Sequence, residues 1–267
     1  MIYLSILVFL LGLSLGSFAN CLIWRLYQEE KILGRSYCPK CKHKIAWYDN
    51  IPLLSYFYLR GNCRHCGKRI SIQYPIIELS VALLFLFFWW QQFDFTILSN
   101  IIFWERISSA SFWLYLSYIF LAVWTLVIIF IFDLRYYLVS TLLVWPATIF
   151  FFIINLIMGV PWFDLLMGMV IGGLFFLIQY LLTRGKGLGE GDIYLGVLLG
   201  SIFSFSGSLF TAIFIAYILG TIIAILLIIF NKKNWGSKLP LGVFLSLGAI
   251  IALILKQDLF SLFGIYL

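Results

Sequence analysis

The chain has 267 residues, of which 63% are hydrophobic and 11% are charged, and its formal net charge is +7. Soluble domains devote about a quarter of their residues to charge, so this composition excludes an ordinary soluble globule. The basic excess does not predict a nucleic-acid partner, because no basic soluble domain studded with aromatic residues accompanies it. We expect the positive charge to contact anionic membrane lipids instead.

Long apolar runs rich in Leu, Ile and Phe follow one another along the chain. A helix of about 20 apolar residues crosses a hydrocarbon core, whereas the strands of a membrane barrel alternate in polarity. The pattern therefore predicts an all-α polytopic membrane protein with about eight transmembrane helices. We expect residues 204–208 to form a turn between two of the runs. The runs are residues 2–24, 76–90, 109–132, 138–158, 163–182, 193–205, 209–230 and 241–255.

Basic residues concentrate in every second loop between these runs. With the amino terminus outside, the loops 25–75, 135–137, 184–192 and 231–240 are cytoplasmic and hold 16 of the 18 Lys and Arg residues. Cytoplasmic loops retain positive charge during insertion, so the distribution favours this orientation. Only Arg106 and Lys256 then fall on the opposite side.

The long polar segment 25–75, between the first two runs, contains two Cys-x-x-Cys pairs separated by 21 residues. Each pair can offer two thiolates, and two pairs complete a tetrahedral zinc site. Two disulfides are the alternative, but these require an oxidising compartment rather than the cytoplasm. Four cysteines fill the coordination shell, so we expect a structural zinc with His43 and His65 outside that shell. The predicted zinc ligands are Cys38, Cys41, Cys63 and Cys66.

Two aspartates lie where apolar runs end. Asp133 follows the third run, and Asp192 precedes the sixth, next to Gly189 and Gly191. The third run passes inward and the sixth outward, so both carboxylates should reach the same cytoplasmic face. Two carboxylates in a partly dry site share a proton, so one can activate water while the other donates to a peptide carbonyl. The pair predicts an aspartic protease; the alternative for either aspartate alone is a charge at the end of a span.

Short motifs surround these residues in chain order, and the whole set resembles the type IV prepilin peptidases of bacterial pilus and type II secretion systems. Members of that family act as leader peptidases and methyltransferases. The resemblance covers nearly the whole chain. The motifs are GLSLGSFAN at 12–20 with Arg25, RSYC at 35–38, DNIPLLSY at 49–56, LRGNC at 59–63, YPIIEL at 74–79, GEGD at 189–192 and PLGVFL at 240–245.

The resemblance implies cleavage of the basic leader of prepilins or pseudopilins at the cytoplasmic face of the bacterial inner membrane. It also implies methylation of the new amino-terminal residue with S-adenosylmethionine as donor. The family's catalytic aspartates map onto Asp133 and Asp192, and its zinc ligands map onto the four cysteines. Glu78 is a candidate for binding the methyl donor; alternatively, it complements the dipole of a helix that starts near Pro75.

These features divide the chain into a first transmembrane helix at 1–24, a cytoplasmic four-cysteine zinc module at 25–75 and a membrane-embedded aspartic protease core at 76–267. The chain departs from the family at residues 139–141, where Val-Ser-Thr replaces a common Leu-Pro-Asp turn. We expect Ser140 or Thr141 to cap the following helix instead. Two alternative functions are a Gly-x-Gly-Asp or preflagellin-type peptidase without methyltransferase activity, and a non-enzymatic membrane transporter or scaffold.

Overall fold

The structure is a computed structural model that describes residues 2–92, 109–185, 187–230 and 239–255. Helices dominate these ranges, and their only β structure is two isolated bridges, between Tyr37 and Lys44 and between Asn62 and Arg69. The all-α prediction is confirmed. The helices are α1 (Ile2–Tyr27), α2 (Leu54–Tyr58), α3 (Gln73–Gln91), α4 (Ala110–Tyr136), α5 (Thr141–Ile157), α6 (Trp162–Thr183), α7 (Glu190–Phe203), α8 (Gly207–Ile229) and α9 (Leu241–Leu255), with a 3₁₀ helix at Trp47–Asn50.

Each of the eight predicted apolar runs forms a helix. Five of them, α1, α3, α4, α6 and α8, are long and apolar enough to cross a membrane by length and composition. The other three, α5, α7 and α9, have 17, 14 and 15 residues. The predicted turn at 204–208 is also present, because α7 ends at Phe203 and α8 begins at Gly207. Arg106, Lys256 and residues 231–238, which entered the charge argument, lie outside the described residues.

The chain divides into two compact units, Met1–Trp124 and Thr125–Leu267. In the first unit α1 and α3 cross with almost no side chain between them. A Cβ added at Gly12 would lie 2.5 Å from the Cα of Ala82, and one added at Gly16 would lie 2.6 Å from the Cα of Glu78. Small residues permit such close crossing of membrane helices. The three-part division at residues 24 and 75 follows membrane topology rather than compactness, and it stays a prediction.

In the second unit α6 and α7 pack backbone against backbone. A Cβ added at Gly172 would lie 2.3 Å from the carbonyl oxygen of Gly196, and a Cβ added at Gly196 would lie 2.3 Å from the carbonyl oxygen of Gly172. One turn away, a Cβ at Gly200 would lie 2.3 Å from the carbonyl carbon of Gly168. This glycine contact fixes the position of α7, the helix that carries Asp192 in its first turn.

Candidate active site and metal centre

The four cysteines of the two Cys-x-x-Cys pairs come together in the first unit. Their sulfur atoms all lie within 4.8 Å of one another, and the Sγ atoms of Cys38 and Cys66 are 4.0 Å apart. Zinc–sulfur bonds of about 2.3 Å in a tetrahedron place sulfurs roughly 3.8 Å apart, whereas a disulfide needs about 2.05 Å. All four thiols are free. The cluster could therefore hold a metal ion. The two disulfides considered as the alternative are not present among these four cysteines.

Each Cys-x-x-Cys pair is a tight turn built in the same way. The N–H of Lys42 donates to the carbonyl of Cys38 at 2.8 Å, and the N–H of Gly67 donates to that of Cys63 at 2.9 Å. Lys42 and Gly67 both have positive φ angles, of 58° and 64°. The backbone amide of Cys66 lowers the pKa of the Cys63 thiol to about 7. A thiol that ionises so readily suits a metal ligand.

The two histidines lie beside the cysteine cluster. The rings of His43 and His65 contact each other, with centroids 3.4 Å apart. Within the described residues the group able to hold a metal contains the four cysteines and neither histidine. This arrangement agrees with the expected place of both histidines outside the coordination shell.

Asp133 lies in the last turn of α4, and its side chain is only 5% exposed. Its Oδ2 atom accepts a hydrogen bond of 3.1 Å from the backbone N–H of Val243, near the start of α9. A Cβ added at the neighbouring Gly242 would lie 2.8 Å from the same oxygen. The start of α9 therefore fits closely around this carboxyl group and orients it.

Asp192 lies in the first turn of α7 and is 8% exposed. Its Oδ2 atom accepts a hydrogen bond of 3.0 Å from the N–H of Gly189, the residue that precedes the helix. A Cβ added at Gly191 would lie 2.6 Å from the Cβ of Val139, in the link between α4 and α5. Gly191 is therefore required for close packing inside the unit.

The fold brings the two aspartates to one place. A Cβ at Gly242 would lie not only beside Asp133 but also 3.0 Å from the Cδ1 atom of Leu195, which is one turn after Asp192. The surroundings of the two aspartates therefore meet at the start of α9. Two buried carboxyl groups in one neighbourhood are able to divide acid and base roles.

Glu78 lies in the first unit and is buried in the crossing of α1 and α3. Its Oε2 atom accepts a hydrogen bond of 2.8 Å from the backbone N–H of Leu53, and the side chain of Ser17 bonds to it as well. These contacts join the polar segment to a membrane helix. Whether Glu78 also binds the methyl donor stays a prediction.

Residues 139–141, where the chain departs from the family's Leu-Pro-Asp turn, lead into α5. Ser140 occupies the position before α5, but its side chain makes no capping hydrogen bond. Its carbonyl instead accepts from the N–H groups of Leu143 and Val144 at 3.1 and 3.0 Å. The prediction that Ser140 or Thr141 caps this helix is confirmed for the position of Ser140, but the side-chain hydrogen bond expected of such a cap is not made. Ser140 takes the cap position because its extended backbone directs its carbonyl into the first turn.

Comparison with known proteins identifies the family to which this chain belongs. Residues 10–92 match the bacterial peptidase A24 N-terminal domain, and residues 119–225 match the type IV leader peptidase family. A protein of Aeromonas salmonicida named prepilin leader peptidase/N-methyltransferase is 30% identical over 279 aligned positions, covering 93% of this chain and 89% of that protein. The chain belongs to the type IV leader peptidase family.

Other relatives carry the same name and align over different lengths. A Myxococcus xanthus protein is 32% identical over 231 residues, 84% of this chain and 63% of that protein. A Vibrio cholerae protein is 44% identical over 104 residues, 34% of this chain and 40% of that protein. The aligned part of this chain thus spans less than two thirds of these two relatives. No solved structure matches the chain.

The two matched segments of this leader peptidase family member contain both sites. Residues 119–225 include Asp133 and Asp192, and residues 10–92 include the four cysteines and Glu78. The resemblance drawn from the sequence motifs is confirmed. Membership of the leader peptidase family does not favour the alternative of a transporter or scaffold. The match over residues 10–92 does not favour a peptidase that lacks the cysteine segment.

Proposed function

We propose that this chain is a membrane aspartic endopeptidase that removes the basic leader of type IV prepilins and related pseudopilins. It also methylates the new amino-terminal residue, with S-adenosylmethionine as methyl donor. The observation that carries the proposal is the pair Asp133 and Asp192, two buried carboxyl groups on separate helices whose surroundings meet at Gly242. The names of relatives that align along most of the chain support the substrate class.

Leader cleavage needs one ionised and one protonated carboxyl group. The ionised member of the pair takes a proton from a water molecule, and the resulting hydroxide attacks the peptide carbonyl. The protonated member donates to the carbonyl oxygen, and a proton then passes to the leaving amine. The pair titrates as a unit, so neither role is assigned to one residue. The amides of Val243 and Gly189 hold the carboxyl groups before substrate arrives, which limits reorganisation during the reaction.

The four-cysteine cluster would hold a structural zinc ion. A segment of about fifty residues buries little apolar core, so metal binding would supply much of its folding free energy. Zinc in a site with four thiolates keeps no open position and would take no part in cleavage.

Metal analysis of the purified protein is expected to find one zinc ion per chain. Cys38→Ser should remove most of the metal, and hydrogen exchange should then rise across residues 36–70. Cys21→Ser is the matched control, because Cys21 is a free cysteine in α1 outside the cluster. Unchanged metal content in Cys38→Ser protein would contradict the assignment.

The proposed location is the bacterial inner membrane, with the cysteine module and the aspartates facing the cytoplasm. The distribution of Lys and Arg among the loops supports this orientation. Glu78 is the candidate residue for binding the methyl donor, and its carboxylate also bonds to the backbone N–H of Leu53.

The proposed activity is tested by incubating the detergent-solubilised protein with a prepilin and S-adenosylmethionine, and measuring the mass of the pilin amino terminus. We expect loss of the leader and gain of one methyl group. Loss of the leader alone would support the alternative of a peptidase without methyltransferase activity. An intact prepilin would contradict the proposal.

Gly242→Ala is expected to reduce leader cleavage at least tenfold while the protein stays folded. The added methyl group would lie 2.8 Å from Oδ2 of Asp133, so the carboxyl group must rotate or α9 must shift. Ser246→Ala, one turn further along α9, is the control, because its hydroxyl bonds only within the helix to the carbonyl of Gly242. Cleavage rates of the two variants, measured at equal folded fraction, check the prediction; equal rates would contradict it.

A further inference from the structure

A cluster of large apolar side chains covers the outside of the cysteine module. Trp47, Leu54, Phe57 and Tyr58 are each between 68% and 78% exposed. The last three are spaced i, i+3 and i+4 on α2, so they share one helix face. We call these four residues the aromatic surface. A group of apolar side chains this exposed marks a contact with another partner or with a membrane.

Arg64 connects the aromatic surface to the cysteine module. Arg64, inside the second Cys-x-x-Cys pair, binds Asp49 through two hydrogen bonds of 2.8 and 2.6 Å. Its guanidinium also lies 5.4 Å from the ring centroid of Tyr48 and 5.8 Å from that of Tyr58. Arg64 holds the pKa of Asp49 below its usual value, so the ion pair persists in mildly acidic conditions. Tyr58, one residue of the aromatic surface, is therefore fixed beside the second Cys-x-x-Cys pair.

One hydrogen bond places Leu53, the residue before the aromatic surface on α2, beside the start of a candidate membrane helix. The N–H of Leu53 donates to Glu78, the sixth residue of α3. At 1.5 Å per residue, that position lies about 7.5 Å along the helix from its first residue. Leu54 directly follows Leu53, so the aromatic surface begins beside the second turn of a candidate membrane span. Interfacial helices bury their apolar faces at a similar depth, about 5–10 Å.

The charge of the module complements an anionic surface. Residues 25–75 contain ten Lys or Arg and three Asp or Glu residues, while the rest of the chain contains eight of each. The whole formal charge of +7 thus belongs to the module. Apart from the buried Arg25, its basic side chains are exposed: Lys31, Arg35, Lys40, Lys42, Lys44, Arg60, Arg64, Lys68 and Arg69.

We propose that the aromatic surface is an interfacial anchor that inserts into the anionic phospholipid leaflet beside the module, the leaflet that α1 and α3 enter. Its aromatic and leucine side chains occupy the boundary between headgroups and acyl chains, where amphipathic rings are favoured. The exposed side chain of Arg60, two residues after Tyr58, binds lipid phosphates. A lipid fits better than a basic prepilin leader, because the positive module repels the leader.

The anchor is tested with the whole chain in nanodiscs, first without prepilin and then with prepilin added. A fluorescent non-canonical amino acid replaces Phe57 or, in a second variant, Tyr58; Lys68, exposed elsewhere on the module, is the control position. Lipids with nitroxide-labelled acyl chains quench any fluorophore that enters the bilayer.

In discs that contain phosphatidylglycerol, quenching at positions 57 and 58 is expected to exceed that at 68 severalfold. It should fall in discs of phosphatidylcholine alone. Quenching at 57 and 58 no stronger than at 68 would overturn the proposal. A change at these positions that requires added prepilin would also overturn it, and would assign the surface to the substrate. Cleavage is not measured, so the outcome is independent of the proposed peptidase activity.

Discussion

Asp133→Asn and Asp192→Asn are each expected to abolish detectable leader cleavage while leaving the protein folded. An amide cannot take a proton from water or pass one to the peptide carbonyl, and general acid–base catalysis contributes on the order of 10²- to 10⁴-fold. Asparagine can still accept the backbone hydrogen bonds from Val243 and Gly189 that hold the two carboxyl groups. Mass spectrometry of the prepilin product measures cleavage, and thermal unfolding in detergent measures folding.

The matched control is Asp164→Asn, which removes an aspartate from the first turn of α6 in the same unit. That position belongs to the opposite membrane face in the predicted topology, so cleavage should remain near the wild-type rate. Retained cleavage in Asp133→Asn protein would remove this residue from the mechanism, and the same holds for Asp192.

Gly172→Ala and Gly196→Ala are each expected to cause a large loss of stability. In each case the new Cβ would lie 2.3 Å from a backbone carbonyl oxygen of the facing helix, which no side-chain rotation can relieve. Overpacking of a tight interior costs about 1–3 kcal/mol, and a clash with backbone belongs at the upper end. Because α7 must move away from α6, Asp192 is displaced and cleavage falls as well.

Thermal unfolding in detergent checks the effect of these glycine substitutions. Val170→Ala provides the control on α6, because Val170 is exposed on that helix and its substitution removes only apolar atoms. A melting temperature for Gly172→Ala protein equal to that of the control would show that the helices are not packed backbone to backbone.

The helices follow from local sequence. Continuous apolar runs bounded by polar residues predict membrane helices wherever they occur, and all eight runs form helices. The turn between α7 and α8 was predictable for the same reason, because Ser and Gly residues interrupt the run there. Ser140 takes the predicted cap position without a side-chain hydrogen bond, since residue type alone does not determine which local hydrogen bond a serine makes.

The candidate sites were only partly predictable. The cysteine spacing indicated the metal cluster, and opposite helix directions predicted that Asp133 and Asp192 would meet. The roles of Gly242 and Val243 were missed, although both lie in the motif at 240–245. Their contacts with Asp133 join residues more than one hundred positions apart. The periodicity of apolar residues within a helix does not predict contacts between such distant residues. The aromatic surface was missed because its residues resemble an ordinary short apolar stretch until their exposure is known.

Photo-cross-linking of a bound prepilin tests most directly whether the two aspartates act on one peptide bond. A prepilin with a photoreactive residue next to the scissile bond is bound to the inactive Asp192→Asn protein and irradiated, and the adducts are located by mass spectrometry. The account predicts adducts both at the end of α4 around Asp133 and at the start of α7 around position 192. Adducts confined to one of these helix ends, or found only elsewhere, would contradict it.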